Sequence, residues 1–322
     1  MNRYPRTFLL PAILLLIFPG LTGAQWRLTQ RTAGVPIVSL ASVDGRLVAS
    51  SGDSLYIVSD KGILEASSAP VHAGDAVRIL STDGDRLLLV SESTFCISPV
   101  RRLQWDCHRI TGGIHFTCAG ISDSTIILGT DSGYFFFSTT RSSRPAVRIF
   151  TAGGEVHAIT QRRGRWFAGT LGCGVYRSDN PESGWISINS GLTSRFIYSL
   201  ASEGGILLAG SVNGSVFLRH AAGERWRRRD NGLPYTAIRS LLVCGRSVFA
   251  GTWGKGVFLE KWGDFQWREV SEGLTGDAAN TVNALARTGS RLFAATGNGL
   301  WWRPAGEIIS PIEEADDRIP AE

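Results

Sequence analysis

From residue 156 onward, apolar residues come in short runs, and each run ends at a turn rich in glycine or charged residues. No long segment carries the 3.6-residue period of an amphipathic helix, so the runs predict β-strands. The runs also repeat. Ile197-Tyr-Ser-Leu-Ala followed by Leu207-Leu-Ala-Gly-Ser-Val-Asn-Gly-Ser-Val-Phe matches Ile238-Arg-Ser-Leu-Leu followed by Val248-Phe-Ala-Gly-Thr-Trp-Gly-Lys-Gly-Val-Phe. Each phrase leads to a tryptophan, Trp226 or Trp267, and to an Asn/Glu-Gly-Leu turn. A repeat of about forty residues built from strands and glycine turns is the signature of a propeller blade.

The first apolar residue of each repeat gives seven anchors: Ile37, Val77, Ile114, Val156, Ile197, Ile238 and Val282. Each repeat then reads as three strands and a fourth that begins at a tryptophan. The last repeat lacks that fourth strand, and the segment 26–34, beginning at Trp26, supplies a match for it. The predicted fold is therefore all-β: a seven-bladed β-propeller of four-stranded antiparallel blades, closed by the N-terminal strand completing the last blade. Six or eight blades are the alternatives, because blades 1 to 3 are degenerate.

Two phrases, Trp166-Phe-Ala-Gly-Thr-Leu-Gly-Cys-Gly-Val-Tyr-Arg-Ser and Ala250-Gly-Thr-Trp-Gly-Lys-Gly-Val-Phe, resemble the bacterial BNR/Asp-box propellers. That superfamily is grouped with WD40/YVTN-like repeats and includes sialidases, sortilin-type receptors, xyloglucan-active hydrolases and the photosystem II assembly factor family. The family's Asp-box, Ser-x-Asp-x-Gly-x-Thr-Trp, has its nearest counterpart in Ser178-Asp-Asn-Pro-Glu-Ser-Gly-Trp185. The resemblance implies the fold and a turn-stabilising role for this stretch, and no catalytic residue.

The two ends change the picture of where the protein works. Arg3 and Arg6 precede an apolar run, 8–21, which ends at Thr22-Gly23-Ala24. This predicts a signal peptide over 1–24 with cleavage after Ala24, and hence a secreted or periplasmic protein. The run is too short, and too interrupted by Pro11 and Pro19, for the roughly 20 residues of a transmembrane anchor. The propeller is expected over 25–306, and an acidic, disordered tail over 307–322. That tail holds six acids against Arg318, so the body is more basic than the overall net charge of +5 suggests. Five cysteines in an exported chain invite a disulfide. Cys96 and Cys107 lie symmetrically about Arg101 and Arg102 and would face each other in a hairpin. Cys118, Cys173 and Cys244 are read as buried thiols.

Ligand sites on propellers gather around one mouth of the central channel. The residues after the anchors form a column at that mouth: Val38, Arg78, His115, His157, Tyr198, Arg239 and Asn283. Six of these are polar or aromatic, a set suited to an anionic or sugar-like ligand. The turns between second and third strands add Asp53, Glu92, Asp131, Trp253 and Lys255 on the same face. Trp253 alone departs from ordinary turn chemistry and suits sugar stacking or a binding hot spot.

The leading reading is an exported, non-catalytic propeller acting as a monomeric protein-binding or assembly scaffold. Its partner would be an envelope or extracellular protein, or a glycan, and not nucleic acid. No cofactor or metal is implied, since two histidines alone make a weak metal site. A carbohydrate-binding or sialidase-like glycoside-hydrolase propeller is the alternative, and a ligand-sensing propeller the third. The hydrolase version requires Asp53, Glu92 and Asp131 to converge.

Overall fold

A computed structural model of the protein describes residues 25–309, apart from 59–63, 72–74, 93, 111–112, 140–146, 152, 183 and 221–222. The expected signal peptide, and the expected tail beyond residue 309, lie outside the described residues. The described chain forms seven four-stranded antiparallel sheets and two single-turn 3-10 helices. Among the described residues, no helix is long and apolar enough to cross a membrane.

The innermost strands of blades 1 to 7 are Ser39–Val43, Ile79–Thr82, Phe116–Ser122, Val156–Arg162, Ile197–Glu203, Ile238–Cys244 and Val282–Thr288. Each touches the next, and the seventh touches the first, so the ring is closed. In six blades the chain runs outward through consecutive strands. Blade 7 differs: its outermost strand is Arg27–Leu28, paired antiparallel with Gly299–Pro304 through Arg27 opposite Trp302 and Leu28 opposite Trp301. The N-terminal strand thus closes the ring.

The repeated phrase has a packing cause. In blades 3 to 6 the second strand carries a glycine, and the next blade's anchor sits directly on it. A Cβ added to Gly129, Gly169, Gly210 or Gly251 would lie 2.7 Å from a methyl carbon of Val156, Ile197, Ile238 or Val282, respectively. These anchors are fully buried. Blades therefore interlock where one strand offers no side chain and its neighbour offers a β-branched one. In blades 1 and 2, Ser50 and Val90 hold the register position of that glycine, which is why the phrase is faint there.

The tryptophan and the following Gly-Leu turn are a second interlock. Trp226 Nε1 donates to Ile188 O at 2.6 Å, Trp267 Nε1 to Arg229 O at 2.8 Å, and Trp26 Nε1 to Val270 O at 2.8 Å. Gly191, Gly232 and Gly273 adopt positive φ, and a side chain at any of them would strike the backbone of Trp226, Trp267 or Trp26. The closing strand reproduces the internal arrangement, although its tryptophan is 244 residues away from its acceptor.

Blade 3 corrects one sequence expectation. Its innermost strand pairs Phe116 with Thr130, where Val156 pairs with Thr170 in blade 4. The anchor is therefore Phe116, not Ile114, and the intervals on either side become 39 and 40 instead of 37 and 42. The Asp-box-like stretch folds back on itself as a turn. Ser178 Oγ donates to Gly184 O at 2.5 Å, Asn180 Oδ1 accepts the Glu182 N–H at 3.1 Å, and Trp185 stacks on Phe135. Cys96 and Cys107 are opposed in adjacent strands of blade 2 and joined by a disulfide. Of the remaining thiols, Cys118 and Cys244 are buried, whereas Cys173 is only half-buried. Packing extends past residue 306, since Ile309 is buried against blades 6 and 7.

Candidate binding face

The column of residues after the anchors owes its geometry to a recurrent backbone irregularity. In blades 3 to 7 the innermost strand skips one residue of register just after the anchor, at Thr117, His157, Tyr198, Arg239 and Asn283. A β-bulge leaves one residue unpaired and re-aims its side chain. In each of these blades the residue left out of the ladder is polar or aromatic. Thr117 takes the place expected for His115, which is exposed one residue before the Phe116 anchor and offers its carbonyl to Asp131 N.

These bulged residues divide by role. Thr117 Oγ1 donates to Val156 O, and Asn283 Nδ2 donates to Ile37 O at 2.7 Å. Both bridge to the next blade's anchor and hold the ring together. His157, Tyr198 and Arg239 instead pack against one another, the two rings tilted and the guanidinium over the Tyr198 ring. The His157 and Tyr198 rings lie 4.3 Å apart, and the Arg239 guanidinium sits 5.2 Å from the Tyr198 ring and 5.3 Å from that of Trp253. Glu155 secures the near end through a 2.9 Å contact with His157 Nε2. Burial holds the His157 imidazole below its ordinary pKa; Glu155 opposes this and the Arg239 charge adds to it.

Around this ladder, in blades 4 to 6, three large aromatics stand in solvent: Phe196 at 53 %, Trp253 at 58 % and Tyr235 at 88 % relative exposure. Thr236 Oγ1 ties the loop bearing Tyr235 to Trp253 O at 2.7 Å, and Phe196 O accepts the Val212 N–H. Lys255 is exposed two residues beyond Trp253. The Nε of Arg239 is buried without a hydrogen-bond partner among the described residues. Glu155, Phe196 and Tyr235 escaped the sequence reading. Their sequence signal is an acid or aromatic one to three residues before the anchor: Glu155 before Val156, Phe196 before Ile197 and Tyr235 before Ile238.

The acidic side of the face is arranged differently. Arg78 forms an exposed ion pair with Glu92 of its own blade. Asp53 accepts the Ser54 hydroxyl at 3.1 Å and Asp131 the Ser132 hydroxyl at 2.8 Å. The buried Asp75 accepts Ser91 Oγ at 2.6 Å and Glu92 N at 3.0 Å. Each of these carboxylates serves its own turn or blade. Among the described residues, no three His, Cys, Asp or Glu side chains cluster in a way that would hold a metal ion.

No known family profile matches the chain, and no curated protein matches its sequence. Solved structures do match. The WD40 repeats of RRP9 superpose with a TM-score of 0.70 at 18 % identity, covering 87 % of this chain and 97 % of that one. YCF48 from Cyanidioschyzon merolae gives 0.66 at 12 %, covering 89 % and 100 %. The extracellular domain of a putative one-component system from B. thetaiotaomicron gives 0.67 at 13 %, covering 87 % of this chain and 40 % of that one. At these identities the likeness is one of fold. This chain is a seven-bladed propeller with WD40-repeat neighbours.

Proposed function

We propose that this protein is an exported, non-catalytic scaffold of the BNR-like propeller type, and that it docks an envelope or extracellular protein on the blade 4 to 6 sector of its mouth. The observation that carries this reading is the cluster of three exposed aromatics around a stacked arginine. Trp, Tyr and Arg dominate the energetics of protein interfaces, and a packed centre of such residues is what a hot spot requires. The WD40 neighbours support a propeller used as an interaction platform. Export is supported by the leader-like 1–24 segment and by the Cys96–Cys107 bond, a linkage that persists in oxidising compartments. The acids Asp53, Glu92 and Asp131 are each engaged locally, which favours binding over hydrolysis.

A photo-crosslinker placed at Tyr235 in the mature chain tests the reading, with one at the outer-edge residue Ile186 as control. The expected result is one dominant envelope protein captured at 235 and not at 186. Its affinity falls at least about 30-fold in Trp253→Ala, the loss of a hot spot worth roughly 2 kcal/mol. Equal capture at both positions, or unchanged affinity in Trp253→Ala and Arg239→Ala, overturns it. The exposed Trp253 also keeps a lectin reading in play, which a glycan array probed with wild type and Trp253→Ala separates from protein docking.

A further inference from the structure

The opposite end of blade 4 carries a feature that protein docking at the mouth does not use. The turn after the innermost strand reads Arg162-Arg163-Gly164-Arg165, with Arg163 and Gly164 at φ values of 49° and 78°. Arg162 pairs with Arg165 across the hairpin, and Phe167 pairs with Arg177 on the third strand. Paired residues share a face of a sheet, as do residues two apart. Arg162, Arg165, Phe167 and Arg177 therefore all point toward blade 5. Blade 5 answers with Leu207 and its pairing partner Arg219. The result is a cavity of about 310 Å³ between the blades, bordered by five guanidiniums and His220 and floored by Phe167 and Leu207.

The positive charge there is only partly compensated. Asp179 pairs with Arg165 at 2.8 Å and Arg177 at 3.6 Å, and Arg219 Nη1 donates to Glu224 O at 2.9 Å. The Nε atoms of Arg162 and Arg177 are buried with no hydrogen-bond partner among the described residues. Burial, then the charges of Arg163 and Arg165, hold the Arg162 pKa below its ordinary value; burial, then Arg177, does the same for Arg219, with Glu224 opposing. Edge protection calls for scattered cations facing solvent, not for guanidiniums converging on a cavity with buried donors unused.

We propose that this cleft between blades 4 and 5 binds a phosphomonoester. A phosphate ester carries about −1.5 to −2 charges and three strong acceptor oxygens, and guanidinium forks match such oxygens in pairs. A carboxylate offers one charge and two oxygens, too little for donors arriving from a turn and two separate third strands. The apolar floor favours an ester with a hydrophobic substituent over free phosphate. The same chemistry is presented by a small soluble ester and by the headgroup of a phosphorylated lipid.

Calorimetric titration of the mature protein with phenyl phosphate, inorganic phosphate and benzoate tests this, alongside sedimentation with phosphatidylcholine vesicles with or without phosphatidic acid. Phenyl phosphate is expected to bind more tightly than either other anion, and to weaken about 10-fold or more in Arg162→Gln and in Arg219→Gln. Trp253→Ala, on the other face, leaves it unchanged. Both glutamine variants relieve like-charge crowding, so an unchanged or higher Tm shows that the fold survives. Sedimentation with phosphatidic acid that both variants abolish identifies a lipid source, and phenyl phosphate binding without sedimentation identifies a soluble one. The absence of both phenyl phosphate binding and phosphatidic-acid-dependent sedimentation, binding indifferent to both variants, or benzoate binding as tightly as phenyl phosphate overturns the proposal.

Discussion

Removing the Trp26 side chain isolates what ring closure contributes. Trp26 is buried among Val257, Leu259, Val270 and Trp301; its indole N–H donates to Val270 O, and its backbone N–H to Glu272 O at 2.8 Å. Truncating a buried tryptophan to alanine costs roughly 3–5 kcal/mol. The hydrogen-bond share belongs at the low end of about 0.5–1.5 kcal/mol, because Arg303 Nη1 also donates to Val270 O and keeps that acceptor satisfied. Trp26→Ala should therefore cost about 4 kcal/mol, close to a thousandfold in the closed-to-open ratio. Trp226→Ala removes the same contacts within a covalently continuous blade and serves as the control. The two should differ in kind. Residues 25–28 can detach alone, so Trp26→Ala should speed amide exchange first along Gly299–Pro304, whereas Trp226→Ala should lower the urea midpoint without selective opening there. Unchanged exchange over Gly299–Pro304 in Trp26→Ala would refute the view that the N-terminal strand clasps the ring.

Three further outcomes follow from the same geometry. Arg229 and Glu260 form an ion pair between blades 5 and 6, with side chains only 7 % and 4 % exposed, and burial pushes the Glu260 carboxyl up against the pull of Arg229. Arg229→Met should cost about 3–5 kcal/mol in urea denaturation, and Arg229→Met with Glu260→Leu should recover most of it; a single variant no worse than the double contradicts this. His157 should titrate below an ordinary histidine in NMR, moving up in Arg239→Gln and down in Glu155→Gln. Because its folded pKa is depressed, the unfolded chain binds more protons in the window below about 6.5. Its contribution to stability is therefore complete above that window and lost as pH falls through it; a His157 shift in Arg239→Gln of the opposite sign means the stack is not formed. Finally, Ellman's reagent should modify one thiol quickly, Cys173, and reach Cys118 and Cys244 only on unfolding, since both are buried and burial pushes the Cys118 thiol far up. Three fast thiols would contradict the packing.

The blade count and the closing strand were legible because each interlock needs a particular residue. In blades 3 to 6 a glycine sits beneath the next anchor, and the Gly of the Gly-Leu turn admits a tryptophan backbone at Gly191, Gly232 and Gly273. Those demands write the phrase into blades 4 to 6. Blade 3 was misphased for an equally physical reason. Ile114 and Phe116 are both apolar and two residues apart, and a two-residue slip keeps every side chain on its original face. Only the bulge at Thr117 distinguishes the two registers, and a bulge has no composition of its own. The site was harder to read than the fold. His157, Tyr198, Arg239 and Trp253 were visible as a column and a turn, but their stacking depends on distances between blades. The exposure of Phe196 and Tyr235 depends on what the neighbouring loops fail to cover.

The two proposed sites share one strand. Val156–Arg162 carries His157 at the mouth and Arg162 at the opposite cleft, five residues apart, or roughly 17 Å at strand rise. This strand is packed between the innermost strands of blades 3 and 5 and paired along its length with Arg165–Thr170. Sliding it to transmit a signal would unseat Val156 from Gly129 and break the ladder to the second strand, while a one-residue slip would reverse its faces. Allostery requires two states that each ligand distinguishes, and a slip that breaks this pairing is not one that either proposed ligand would favour. The proposed phosphomonoester binding in the cleft and the proposed docking at the mouth should therefore be independent, with the effects of substitutions at the two ends adding.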